Sequence, residues 1–161
     1  MTDLNQAVID YLITCPIFKN NPLFFNAIEA KDENKQIVTT ANNKKLQKPY
    51  IDGSVLKRFT FTIIDFRSIT YQPIVKIPGD AYKNENVQDM LDVQSIIDWI
   101  DEQQELCNFP DFGENCIVES IKALSENPNL NGIDTSSTPS LAKYSISIQI
   151  DYIDNSKTIW R

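Results

Sequence analysis

The chain has 161 residues, 42% of them apolar, with 15 basic and 22 acidic side chains for a formal charge of −7. That length suits one domain with a real core and no need of disulfides or metals, and that much apolar content excludes global disorder. The acidic balance argues against a phosphate-binding surface of clustered Lys and Arg, and so against sequence-specific nucleic-acid binding.

The sequence has no histidine. Ser-His-Asp triads, Cys-His dyads, histidine metal sites and imidazole acid–base catalysis are therefore excluded. The three cysteines, Cys15, Cys107 and Cys116, fit no zinc spacing and read as reduced thiols. No apolar run approaches the ~20 residues of a membrane span. The Met1-Thr2-Asp3 start lacks the basic and apolar regions of a secretory signal, so folding in a cytoplasm is expected.

In chain order, Thr2 or Asp3 can cap a first helix. Its apolar stripe is Leu4, Val8, Tyr11 and Leu12, and Pro16 should stop it near Thr14. Residues 22–29 and Gln36–Thr40 read as strands joined by a charged hairpin loop. The polar stretch from Asn42 to Lys45 reads as a loop tip. Asp52-Gly53 signals a tight reversal before a strand over Val55–Arg67. On that strand Phe59, Phe61 and Ile63 share one face, with Thr60, Thr62, Ile64 and Phe66 on the other. Both faces are rich in β-branched or aromatic residues, so the second is expected to meet another layer or a neighbouring subunit.

Pro73, Pro78 and Gly79 mark an irregular connection. A second helix is expected over about 84–105, with Met90, Val93, Ile97 and Ile100 in one arc and Ile96 beside it. Trp99 falls outside the arc. It either folds against its own domain near Phe109 and Phe112 or anchors an interface. Cys116–Leu124 is a further strand candidate, and residues 125–140 read as a long loop. The clearest element is the last: Tyr144, Ile146, Ile148, Ile150 and Tyr152 alternate with Ser145, Ser147, Gln149 and Asp151. Ile159 and Trp160 are unusually apolar for a tail, which makes Trp160 an interface candidate. The sum is a single α+β domain over residues 1–161. Two main helices pack on one face of an antiparallel sheet in the order helix, strands, helix, strands, with long loops near 29–50 and 125–142.

Few residues offer chemistry. Asp98, Asp101, Glu102 and Glu105 could in principle serve as acid, base or Mg²⁺ ligands, but read first as an exposed helix face. The Asp151 and Asp154 pair reads as solvated. Gly53, Gly79, Gly113 and Gly132 are too dispersed for a phosphate loop. No catalytic residue, metal ligand or cofactor is assigned, and an enzyme is not expected. Lys44, Lys45 and Lys48, with Lys57 and Arg58 after the turn, form a basic cluster that is either a solvated loop or a patch for an acidic partner.

Four ordered segments resemble a family of phage and prophage proteins of Gram-positive hosts, called minor capsid proteins and understood as tail terminators. They are Tyr11-Leu12-Ile13-Thr14-Cys15-Pro16; Tyr50-Ile51-Asp52-Gly53-Ser54 leading to Phe59-Thr60-Phe61; Asp98-Trp99-Ile100-Asp101-Glu102-Gln103 with Asn108-Phe109-Pro110-Asp111-Phe112; and Ala142-Lys143-Tyr144 with Ile146 and Tyr152. The stretch from Glu29 to Lys48 is longer and more polar than the family pattern. The resemblance implies a virion protein, assembled in the bacterial cytoplasm, that forms a hexameric ring. The ring would cap the tail tube, end its growth and offer a docking face to a head or neck connector protein. Its partners would be itself, the tail tube protein and that connector. A head-tail connector or neck protein, the cap of a contractile tail-like bacteriocin, and a binding module outside virions are the alternatives. Phe59, Phe61, Trp99, Trp160, Lys44, Lys45 and Lys48 are the interface candidates, on the premise that they lie outside the core.

Overall fold

A computed structural model describes residues 3–18, 23–25, 35–39, 48–69, 75–76, 82–83, 85–135 and 140–157. The elements in chain order are α1 (Leu4–Leu12), a 3-10 turn (Pro16–Phe18), β1 (Leu23–Phe25), β2 (Lys35–Thr39), β3 (Lys48–Pro49) and β4 (Val55–Ser68). Then come β5 (Val75–Lys76), β6 (Tyr82–Lys83), α2 (Glu85–Glu105), β7 (Cys116–Ala123), β8 (Asn129–Asp134) and β9 (Leu141–Asp154). The architecture is α+β, as the patterning predicts.

Seven strands form one sheet along the path β1-β2-β4-β9-β7, with β3 beside β4 and β8 beside β9. Its spine is the antiparallel pairing of β4 with β9, both fourteen residues long, in unbroken register from Val55↔Asp154 to Ser68↔Leu141. Because side chains alternate between faces, that register puts Phe59, Phe61 and Ile63 beside Ile150, Ile148 and Ile146. These residues form the floor of the core. Val8, Tyr11 and Leu12 of α1 and Val93, Ile96, Ile97 and Ile100 of α2 close it from above. Both helices therefore lie on one face of the sheet.

The helix boundaries follow local chemistry. Asp3 caps α1 by accepting a hydrogen bond from the Asn5 N–H at 2.9 Å. Pro16 opens the 3-10 turn, where it needs no N–H. At the end of α2, Cys107 takes a left-handed φ of 52°, and the Asn108 N–H returns to the Gln103 carbonyl at 3.0 Å.

The structure differs from the sequence reading in several places. Residues 22–29 and 36–40 do not make a hairpin, because β1 runs parallel to β2. The expected loop at 125–142 contains β8, which continues the edge begun by β7 along the same flank of β9. Its Asn-Leu-Asn-Gly-Ile-Asp sequence carries little β-branching, so propensity hides it; pairing to β9 supplies the order. β2 stands where the sequence predicts the Gln36–Thr40 strand, whereas β3 falls within the expected loop at 29–50. Short β5 and β6 form a separate antiparallel pair. Pro73, Pro78 and Gly79 lie outside the described residues. The polar side of β9 is not a solvated face either. Ser145 and Gln149 are 5% and 6% exposed, and the Gln149 Nε2 has no hydrogen-bond partner among the described residues.

Ile148 sits fully buried in the middle of the spine. Ile148→Ala is expected to lower unfolding free energy by roughly 2–5 kcal/mol. Ile117→Ala, on the exposed edge, is expected to change it by less than about 0.5 kcal/mol. Urea unfolding of both variants checks this; equal losses would contradict the placement of the core.

Candidate functional site

Tyr11, Phe59, Trp99, Phe109, Phe112 and Tyr152 pack in one core cluster. The Tyr11 ring packs on Trp99 with centroids 5.2 Å apart, and its hydroxyl donates to the Asn108 carbonyl at 2.8 Å. Burial, and then the nearby Cys15, push the Tyr11 phenol well above its ordinary range. Phe112 meets Tyr152 edge-on at 5.1 Å and Phe59 at 6.2 Å. Four separate stretches of chain are tied together here, and the tie is a core contact.

That placement corrects part of the interface reading. Phe61 is 1% exposed and belongs to the core. Phe59 is half-buried against the same cluster. Trp99 is also half-buried and folds against its own chain, through Tyr11 of α1. It lies outside the Val93–Ile97–Ile100 arc, but α1 covers the helix flank on which it stands. Of the basic candidates, Lys48 is exposed. Lys44, Lys45 and Trp160 lie outside the described residues.

The acidic positions also resolve into local roles. Asp98, Asp101, Glu102 and Glu105 are all exposed on α2. Partial burial, then the Asp98 and Glu105 charges, raise the Asp101 carboxyl. No group of three or more potential metal ligands occurs among the described residues, and no helix among them is long and apolar enough to cross a membrane. Asp154 and Asp151 pair across the spine. The Lys57 Nζ lies 2.7 Å from Asp154, and the Arg58 Nε lies 2.8 Å from Asp151. Deeper in the structure Asp65 and Arg67 form a two-pronged pair, 3.0 and 3.3 Å, with side chains 1% and 6% exposed.

Part of the exposed apolar surface lies at the sheet margin. Ile117 of β7, Leu124 after it, and Leu130 and Ile133 of β8 are each about half exposed along one flank of β9. A second feature is the turn between β3 and β4. The Gly53 N–H donates to the Tyr50 carbonyl at 3.1 Å, Gly53 has a φ of 89°, and the Tyr50 N–H closes on the Ser54 carbonyl at 2.8 Å. This is a three-residue hairpin loop with its glycine in the left-handed position. The Asp52 carboxylate accepts from the Ser54 hydroxyl at 2.6 Å and the Ser54 N–H at 2.9 Å, which lowers its pKa. The turn is thus fixed, and Ile51 at its tip is fully exposed.

The third feature is a hollow of about 430 Å³ between α1 and the segment entering β7. Ala7, Tyr11, Phe109 and Pro110 give it an apolar lining, and Asp3, Asp10 and Asp111 give it a negative rim. Nothing in this surface set is arranged as a nucleophile with its base. The sequence reading missed the β8 flank and the Ile51 tip. The signal for the second was available: isoleucine is out of place in a turn that only needs small or polar residues.

The Lys57–Asp154 pair sets a pH dependence. Burial alone would raise the Asp154 carboxyl, but the Lys57 ammonium and the Ser156 hydroxyl and N–H outweigh it and hold the pKa at about 2. A lowered carboxylate adds stability above its unfolded pKa and loses it as pH falls through the folded value. The pair should therefore contribute about 1 kcal/mol at neutral pH, given its partial exposure, and fade between roughly pH 4 and pH 2. Asp154→Asn is expected to be less stable than the parent at pH 7, with most of the gap closed near pH 2. Denaturant titrations at the two pH values check this; an undiminished gap at pH 2 would contradict it.

The sequence matches no known protein family, and it matches no curated protein.

Proposed function

We propose that this chain is a structural virion protein that caps a phage tail tube as a ring, ends tube growth and offers a docking face to the head or neck. The observation that carries the reading is the half-exposed apolar margin of the sheet, with Leu130 and Ile133 of β8 on the helix side and Ile117 and Leu124 on the other. A sheet margin with exposed apolar pairs on both faces is an expected site of protein–protein contact. The family resemblance of the four sequence segments supplies the identity of the partners: other copies of the chain, the tail tube protein and a connector.

Physically, the role is recognition without turnover. A ring requires two different patches on each copy, joined head to tail with a rotation that closes. The flank offers apolar pairs on both faces of its margin, and the turn tip and the α1 hollow lie elsewhere on the molecule. The charge of −7 discourages indiscriminate association of free chains, so contact is left to surfaces that fit.

Two measurements test the reading. Particles assembled without this chain should show overlong or headless tails in electron micrographs; normal particles would refute it. Leu130→Asp is expected to shift the chain's own stability by less than about 0.5 kcal/mol, because Leu130 is half exposed. The same variant should be impaired in joining purified tail tubes. Joining at the parent level would take the β8 flank out of the assembly surface.

A further inference from the structure

The tip of the β3–β4 turn and the hollow beside α1 complement each other in shape and charge. We infer that the tip of one copy seats in the hollow of the next, giving the chain a head-to-tail self-contact. The inference rests on the ring reading for the closure of such contacts into a ring.

The turn itself offers no reason for its exposed side chain. Its backbone is held by the Tyr50–Gly53 and Tyr50–Ser54 main-chain bonds and by Asp52. Ile51 contributes to none of these and stands fully in solvent, with Tyr50 beside it 39% exposed. Lys48 reaches over the Tyr50 ring, 6.0 Å from its centre. The tip therefore presents an aliphatic knob, an aromatic ring and a positive charge on a rigid mount. Lys57, Arg58 and Arg67 are committed to carboxylates, whereas Lys48 has no carboxylate partner among the described residues.

The hollow supplies the matching set. Its lining of Ala7, Tyr11, Phe109 and Pro110 suits the isoleucine and the aromatic ring, and its three aspartates suit the lysine. On a chain of net charge −7, a second copy approaching at random is repelled. A lysine-bearing knob entering an acidic rim is the arrangement that reverses the sign locally.

One chain cannot satisfy itself in this way. Ile150 and Tyr152 face the helices, so Ile153 faces the opposite side of the sheet, and Ile153 lines the shallow hollow under Ile51. The knob thus belongs to the side away from the helices, while the acidic hollow is bordered by α1 on the helix side. Two different patches on opposite sides of the sheet make a heterologous contact. Repetition of such a contact yields a closed ring or an open filament, according to the rotation it imposes.

The test uses two full-length chains in a Cys107→Ser background, which removes the exposed native thiol. One carries Ile51→Cys and the other Gln6→Cys, Gln6 being on the hollow's border. Mixed under mild oxidation, they should give a disulfide-linked heterodimer that neither chain gives alone. Lys48→Glu should raise the concentration for half-association about tenfold in sedimentation velocity, and Asp10→Lys in the same chain should reverse most of that shift. No heterodimer, or no rescue by Asp10→Lys, would overturn the contact. Rings that form undiminished with Lys48→Glu and Ile51→Asp combined would overturn the contact and leave the ring reading standing. Cross-linked chains that assemble only as open filaments would keep the contact and overturn the ring.

Discussion

The structure depends on the pairing of β4 with β9. Fourteen residues on each strand face one another without a bulge, and every other feature takes its position from that alignment. A slip of one residue would turn Phe61, Ile63, Ile146 and Ile148 away from the helices and expose the core. Ion pairs reinforce the register at one end. Lys57–Asp154 lies on the helix side and Arg58–Asp151 on the other, so the same end is clamped from both faces. Toward the other end, the helix side holds the Asp65–Arg67 pair, with Asp92 of α2 3.7 Å from Arg67. A buried pair of this kind adds little net stability against an apolar pair of the same size.

The sequence discloses the elements whose order is local. The alternation of β9, the arc of Val93, Ile97 and Ile100, the Asp3 cap and the Asp-Gly turn can each be read from a short window, and each stands where the pattern puts it. Elements that borrow their order from a neighbour are not legible in this way. β8 has weak strand chemistry and exists because β9 offers a free flank. The parallel course of β1 beside β2 is likewise a matter of tertiary placement, which the spacing of apolar residues does not encode.

The same distinction explains the surface. Trp99 and Phe59 look surplus to the core when each element is read alone, because a helix arc or a strand face counts only its own periodicity. Packing adds a second helix: α1 brings Tyr11 over Trp99, and Phe112 comes back over Phe59 and Tyr152. Most of the large apolar residues left exposed are aliphatic ones in unremarkable contexts, such as Ile51 in a turn and Leu130 in a polar strand. Large aromatic residues draw attention in a sequence, but in a domain of this size they are the residues a core can least do without.

One contact of α2 bears on how the molecule stays discrete. The Gln104 Oε1 accepts the Ile121 N–H at 2.8 Å, on a strand that borders the sheet. A main-chain donor that would otherwise invite a foreign strand is occupied by the protein's own helix. The remainder of that border is short, carries Gly132 at a register shift and ends in Asp134. Sheet borders blunted in these ways resist indefinite lateral growth. Copies of this chain are thereby steered away from fibril-like stacking and toward contacts made by side chains, whose number and angle can be finite.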